Sequence, residues 1–145
     1  MTYGARRGMG AARSYANIGL ETQVLGASPQ RLISLLFDGA RAAVGQARLH
    51  LEQGNIAARG AAISKAIDIV ETGLKASLDM KAGGELATNL ATVYDLIIRD
   101  LLLANLNSDA TRLASADRLL ADIGGAWREA VDPVAPAGGE PPSPG

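Results

Sequence analysis

The 145-residue chain has no cysteine, so neither a disulfide nor a thiolate metal site can be part of its design. Its only histidine is His50. One imidazole leaves no second positioned base to activate a nucleophile, and it rules out the paired Glu-x-x-His motifs of a di-iron bundle. Aromatic residues make up only 3% of the chain, which removes the stacking platforms of single-strand nucleic-acid binders. Charge of either sign is not in excess: 14 Lys and Arg stand against 15 Asp and Glu, for a net charge of −1. No electrostatic footprint therefore argues for nucleic acid or an anionic membrane surface. No apolar run reaches the ~18 residues of a membrane span. Arg6, Arg7 and Arg13 are not followed by the apolar core of a secretory signal. The expectation is a soluble, cytosolic chain that inserts into no membrane, and its lack of cysteine fits a reducing compartment.

What is present is helix. The length suits one domain, which buries roughly 70% of its unfolded surface. Residues 1–14 are Gly, Ala and Arg with little to bury and read as a flexible tail. Residues 15–131 carry the bundle pattern, and 132–145 read as a disordered Pro/Gly-rich tail. Within the bundle, Ser28 and Pro29 mark the start of a first helix and Gly54 its end. Leu32, Ile33, Leu36, Ala40, Ala43, Val44, Ala47 and Leu51 share one side of it, with Phe37 at the edge. A second helix runs from an Asn55 cap to about Leu78, with Ile56, Ile63, Ile67, Val70, Leu74 and Leu78 as its core stripe. Lys81-Ala82-Gly83-Gly84 is a turn. A third helix covers about Glu85 to Leu106, with Leu86, Leu90, Val93, Tyr94, Ile97, Leu101 and Ala104 facing inward. Asn107-Ser108-Asp109 caps a fourth, which runs to about Val131 with Leu113, Ala116, Leu120, Ile123 and Trp127 inside; Gly124-Gly125 weakens its middle. Four helices with short links predict an all-α, antiparallel up-down bundle. A short N-terminal segment around Tyr15 and Ile18 has apolar side chains enough to pack on it. That segment either covers the end of the core or acts as a detachable plug competing with a partner.

The helices also carry more apolar residues than one core face needs. Opposite the core of helix 1, Leu35, Ala42 and Leu49 repeat at seven-residue spacing. On helix 2 the far side is a shallow row of Ala58, Ala62, Ile69, Gly73 and Ala76. On helix 3, Leu96 and Leu103 are again seven apart, in a stretch that is apolar nearly all round and so reads as buried on several sides. Exposed apolar surface beyond a few hundred Å² marks interaction sites. Leu35, Leu49, Ile69, Leu96 and Leu103 are therefore the candidate track for an amphipathic partner helix; the alternative is that they are core.

Chemistry is harder to find. Neither glycine pair follows a strand and no Gly-Lys-Ser/Thr exists, so no phosphate loop is present. Asp38, beside Gly39, has no second carboxylate near it and reads as structural. No catalytic residue, cofactor or metal is expected, and the chain is read as a binding protein. The same leucines would also serve self-association into a weak homodimer, which is the competing reading.

The order of sequence blocks resembles the flagellar secretion chaperone family, FliS. The resemblance lies in Ala27-Ser28-Pro29, Leu32-Ile33, Leu36-Phe37-Asp38-Gly39-Ala40 and Leu51-Glu52-Gln53-Gly54-Asn55-Ile56. It continues in Ser64-Lys65-Ala66-Ile67-Asp68-Ile69, Gly73-Leu74-Lys75-Ala76, Gly83-Gly84-Glu85-Leu86, Tyr94-Asp95-Leu96-Ile97-Ile98-Arg99, Ala104-Asn105-Leu106 and Ala126-Trp127. It covers residues ~15–131 and is specific by the number and order of blocks. The resemblance implies a cytosolic helical-bundle chaperone that binds the C-terminal helix-forming segment of flagellin, prevents premature polymerisation and hands it to the flagellar type III export gate protein. The family's N-terminal tyrosine, implicated in the export-competent complex, matches Tyr15; three positions earlier, where members can carry a larger apolar residue, this chain has Ala12. The Gly/Arg-rich start and the Pro-rich end lie outside the common pattern.

Overall fold

The computed structural model describes residues 26–131. Helix α1 spans Pro29–Gln53, with the Ser28 hydroxyl accepting the Arg31 N–H at 3.1 Å and Gly54 closing it in the left-handed conformation at φ 74°. These are the ends that Ser-Pro and Gly dictate: a side-chain acceptor for a free N–H at the start and a residue without Cβ at the stop. Helix α2 begins at Ile56. Asn55 does not cap it through its side chain, which donates instead to the Gln53 side-chain carbonyl at 3.1 Å. The α-helical part ends at Asp68; Ile69–Leu74 is wound as a π-helix and Lys75–Ser77 as a 3₁₀ turn. The sequence pattern predicts one regular helix over this stretch, with no signal for the change in winding. Helix α3 is Gly84–Asn107 and α4 is Ala110–Ala130, the latter capped by the Asp109 carboxylate on the N–H groups of Thr111 and Arg112.

Two-residue links at Gly54-Asn55 and Ser108-Asp109 leave no room for a crossover, so each helix turns back beside the one before it. The packing closes a square: α1 on α2, α2 on α3, α3 on α4 and α4 on α1, with α1 and α3 diagonal. Among the described residues there is no strand. The antiparallel four-helix bundle expected from the pattern is what forms.

The core is a single cluster. It runs through Leu36, Phe37 and Val44 of α1, Ile63 and Val70 of α2, Tyr94, Ile97 and Leu101 of α3, and Leu113 and Leu120 of α4. The Phe37 and Tyr94 rings meet across the diagonal with centroids 6.4 Å apart. Phe37 is fully inside rather than at the edge, because α4 presents Gly124 to it: a Cβ there would lie 3.1–3.3 Å from the Phe37 side chain. Gly125, one residue on, faces open space. Polar ties then fix neighbouring pairs. Arg41 donates to both Asp117 carboxylate oxygens at 2.9 and 3.3 Å, and Arg128 reaches Asp38 and the Ser34 carbonyl, both joining α1 to α4. Arg112 pairs with Asp100 at 3.0 Å between α4 and α3.

The two adjacent glycines separate propensity from packing. Gly125→Ala is expected to stabilise the chain by about 1 kcal/mol through helix propensity alone. Gly124→Ala gains the same propensity but presses on Phe37 and is expected to lose about 1–3 kcal/mol from overpacking. Urea unfolding of the two variants checks both signs.

Candidate functional site

The end of the bundle where α1 and α3 begin and α2 and α4 end is not filled. All four helices contribute walls to a cleft of about 330 Å³ there. Its lining is almost wholly carbon: Phe37 from α1, Leu74 and Leu78 from the end of α2, Leu90 and Tyr94 from α3, and Trp127 from α4, with Val131 at the rim. The opposite end is shut by Arg59, which donates to the Asn105 side-chain and backbone carbonyls at 3.0 Å each and to the Ser108 hydroxyl at 3.1 Å.

Polar groups at the cleft are few and specific. The Trp127 indole N–H donates to the Gln30 carbonyl at 3.0 Å, tying the end of α4 to the start of α1. The Ser77 hydroxyl is used on the Gly73 carbonyl one turn back. Tyr94 is 3% exposed, and burial pushes its phenol up to about 12. Its hydroxyl has no hydrogen-bond partner among the described residues, yet none of their buried side-chain polar atoms lacks one. That hydroxyl therefore opens onto the cleft as an uncommitted donor.

The helix faces hold the second apolar feature. Leu49 and Leu96 are exposed at 45% and 49%, and Leu103 is half-buried. Leu35 and Ile69 are interior, at 1% and 0%, which corrects their place in an exposed stripe. Ser34, Leu35, Leu36 and Phe37 are buried in succession, so that turn of α1 is enclosed on nearly every side. Ile69 opens the π-helical segment, which packs against α1. Tyr15 and Ile18 lie outside the described residues.

Other exposed side chains depart from the sequence pattern. Ile56 and Leu86 fit a core stripe by their spacing, but they occupy the first turns of α2 and α3, where the neighbouring helices no longer cover them. Leu102 and Leu106 are exposed, Leu106 at 77%. They follow Ile98 at four-residue steps on the flank of α3, next to Asn105, which is bonded to α2. That spacing is present in the sequence, but a stretch apolar nearly all round reads there as burial on several sides. The structure buries Ile97 and Leu101 fully and leaves Leu96 and Leu102 to solvent. Among the described residues no three His, Asp or Glu side chains cluster as a metal site would require, and no helix is long and apolar enough to cross a membrane.

An all-helical bundle with an unfilled apolar cleft and leucines facing outward is the architecture of a protein that binds other chains by apolar contact. Likeness to known proteins narrows the class. The family profile described as "Flagellar protein FliS" matches residues 11–134. The chain is 50% identical over 117 residues to a flagellar secretion chaperone FliS of Salmonella typhimurium, covering 81% of this chain and 87% of that protein. It is 40% identical over 119 residues to the FliS of Escherichia coli K12, covering 82% and 88%. To the flagellar secretion chaperone FliSB of Pseudomonas aeruginosa it is 39% identical over 119 residues, covering 82% and 94%. The chain belongs to the FliS family, and like the chaperones of that family it is not an enzyme.

The Tyr94 environment has a pH signature. The phenol is raised on folding from 10.0 to about 12, so its contribution is complete below pH 10 and is lost as the pH rises from there through 12. Relative to Tyr94→Phe, the parent chain is expected to lose on the order of 2–3 kcal/mol across that interval, as a shift of about two units implies. Urea titrations at pH 9 and pH 12 measure the difference; parallel loss in both proteins would refute it.

Proposed function

We propose that this chain is a cytosolic export chaperone that binds the C-terminal, helix-forming segment of flagellin, masks it against premature polymerisation and delivers it to the export gate of the flagellar type III secretion apparatus. The observation that carries this reading is the run of apolar side chains left outside the core, on a chain whose relatives are named flagellar secretion chaperones. A client segment that folds as it binds gives up conformational entropy, and only a long apolar track compensates for that loss. Leu49, Leu96 and Leu103, joined by Leu102 and Leu106, supply such a track on diagonal helices, so a client using all of them wraps around the bundle. Leu35 and Ile69 act from inside, by holding the walls. Release needs no nucleotide, because a competing receptor at the gate can take the client over. Tyr15 and Ile18 compete with the client as an apolar plug.

Co-purification with flagellin retaining or lacking its C-terminal segment is the direct test: capture is expected only with the segment present. Light scattering with a flagellin C-terminal peptide separates this from self-association, since a tight homodimer indifferent to the peptide would sink the proposal. Leu96→Glu and Leu103→Glu are each expected to weaken peptide binding about tenfold or more, equivalent to ~1.4 kcal/mol, with helical circular dichroism unchanged. Leu35→Glu is expected to unfold the chain instead. Removing residues 1–20 is expected to raise the client on-rate; an unchanged rate removes Tyr15 and Ile18 from the competition.

A further inference from the structure

We propose that, when no client is bound, the cleft at the open end of the bundle is covered by the chain's own continuation beyond Val131, with residues 132–138 lying across its mouth. Three of the chain's five aromatic side chains, Phe37, Tyr94 and Trp127, line this cleft. Apolar grooves walled by aromatic rings are what proline-rich extended segments recognise, because such segments are preformed and lose little entropy on docking. Five of the six prolines in the sequence, beginning with Pro133 and Pro136, lie in residues 132–145.

Position supports the same pairing. Val131 is itself part of the cleft wall, and its N–H is held by the Trp127 carbonyl at 2.8 Å, so the residues after it start at the rim. A polyproline-type strand advances ~3.1 Å per residue, so six residues reach ~19 Å. That is about two interhelical spacings of 8–10 Å, enough to cross the mouth. Between 132 and 138 the only charge is Asp132, at the rim, and Val134 offers one aliphatic side chain to the carbon-lined interior.

The polar chemistry is complementary as well. Proline removes backbone donors and leaves carbonyl acceptors, while the cleft offers the Tyr94 hydroxyl as a donor without a partner among the described residues. Tethering adds to this: a short linker places the segment at millimolar effective concentration, so weak intrinsic affinity is enough for occupancy. The inference concerns the free chain and does not depend on which client it carries.

Trp127 is the only tryptophan, so its fluorescence reports on the cleft. In the full-length chain, the double variant Val134→Asp, Pro136→Gly is expected to show red-shifted Trp127 emission and roughly twofold greater acrylamide quenching, as loss of a tethered cover implies. Circular dichroism and urea midpoint should match the parent, since both positions lie outside the bundle. A synthetic peptide of residues 132–145 added to the variant should restore protection saturably, and less tightly when Tyr94→Phe is also present. Equal quenching in parent and variant at all concentrations would overturn the proposal. So would protection that rises with protein concentration and ignores the substitutions, because the cover would then be a second copy of the chain.

Discussion

One buried guanidinium divides this bundle into a closed end and an open one. Arg59 sits near the start of α2 with its charge taken by three neutral oxygens, two from Asn105 and one from Ser108. A cation withdrawn from water is costly unless its donors are used. The three bonds therefore fix α2, the last turn of α3 and the left-handed residue that starts the link to α4 as one unit. At the far end the corresponding tie between α2 and α3 is the exposed Lys75–Asp95 pair at 2.8 Å, and exposed pairs contribute little. The helices there are joined mainly at the α1–α4 side, through Trp127 and Arg128. The cleft lies at the end where the fastening is one-sided.

Nothing in the site reacts; its properties come from what the helices leave uncovered. Interior positions are taken by aliphatic side chains and two rings in contact, and the outward leucines need a partner to leave water. A surface of this kind recognises shape and apolar spacing more than individual functional groups, which suits a carrier that must let its cargo go. The few directional groups, such as the Tyr94 hydroxyl and the Trp127 indole, lie at the cleft and give it a polarity that the leucine faces lack.

Helix ends and connectivity were legible in the sequence because single residues decide them. Ser28, Pro29 and Gly54 bound α1 at the positions their chemistry requires, and Asp109 caps α4 as expected. The side-chain faces were less legible, for a reason particular to each residue. A wheel assigns one core direction to a helix, but α1 packs on both α2 and α4, so Leu35 is enclosed although it stands opposite the core stripe. Ile56 and Leu86 fail in the other direction: they keep the right angle but sit beyond the reach of their neighbours. The cleft was not legible at all. It arises from how four helix ends are spaced, and no local pattern encodes that distance.

The π-helical turn at Ile69–Leu74 bears on lineage. A turn closed by i→i+5 bonds holds one residue more than an α-helical turn over nearly the same rise. A chain lacking one residue within it would span the same height as a regular helix, still join Ile63 to the Lys75 turn, and rotate the later residues by about 100°. Gains and losses of single residues are ordinarily confined to loops, since inside a packed helix they misalign every later side chain. Here the middle of a buried helix already contains an absorbed insertion, so homologous chains can differ in length at this turn and still keep four helices in the same square.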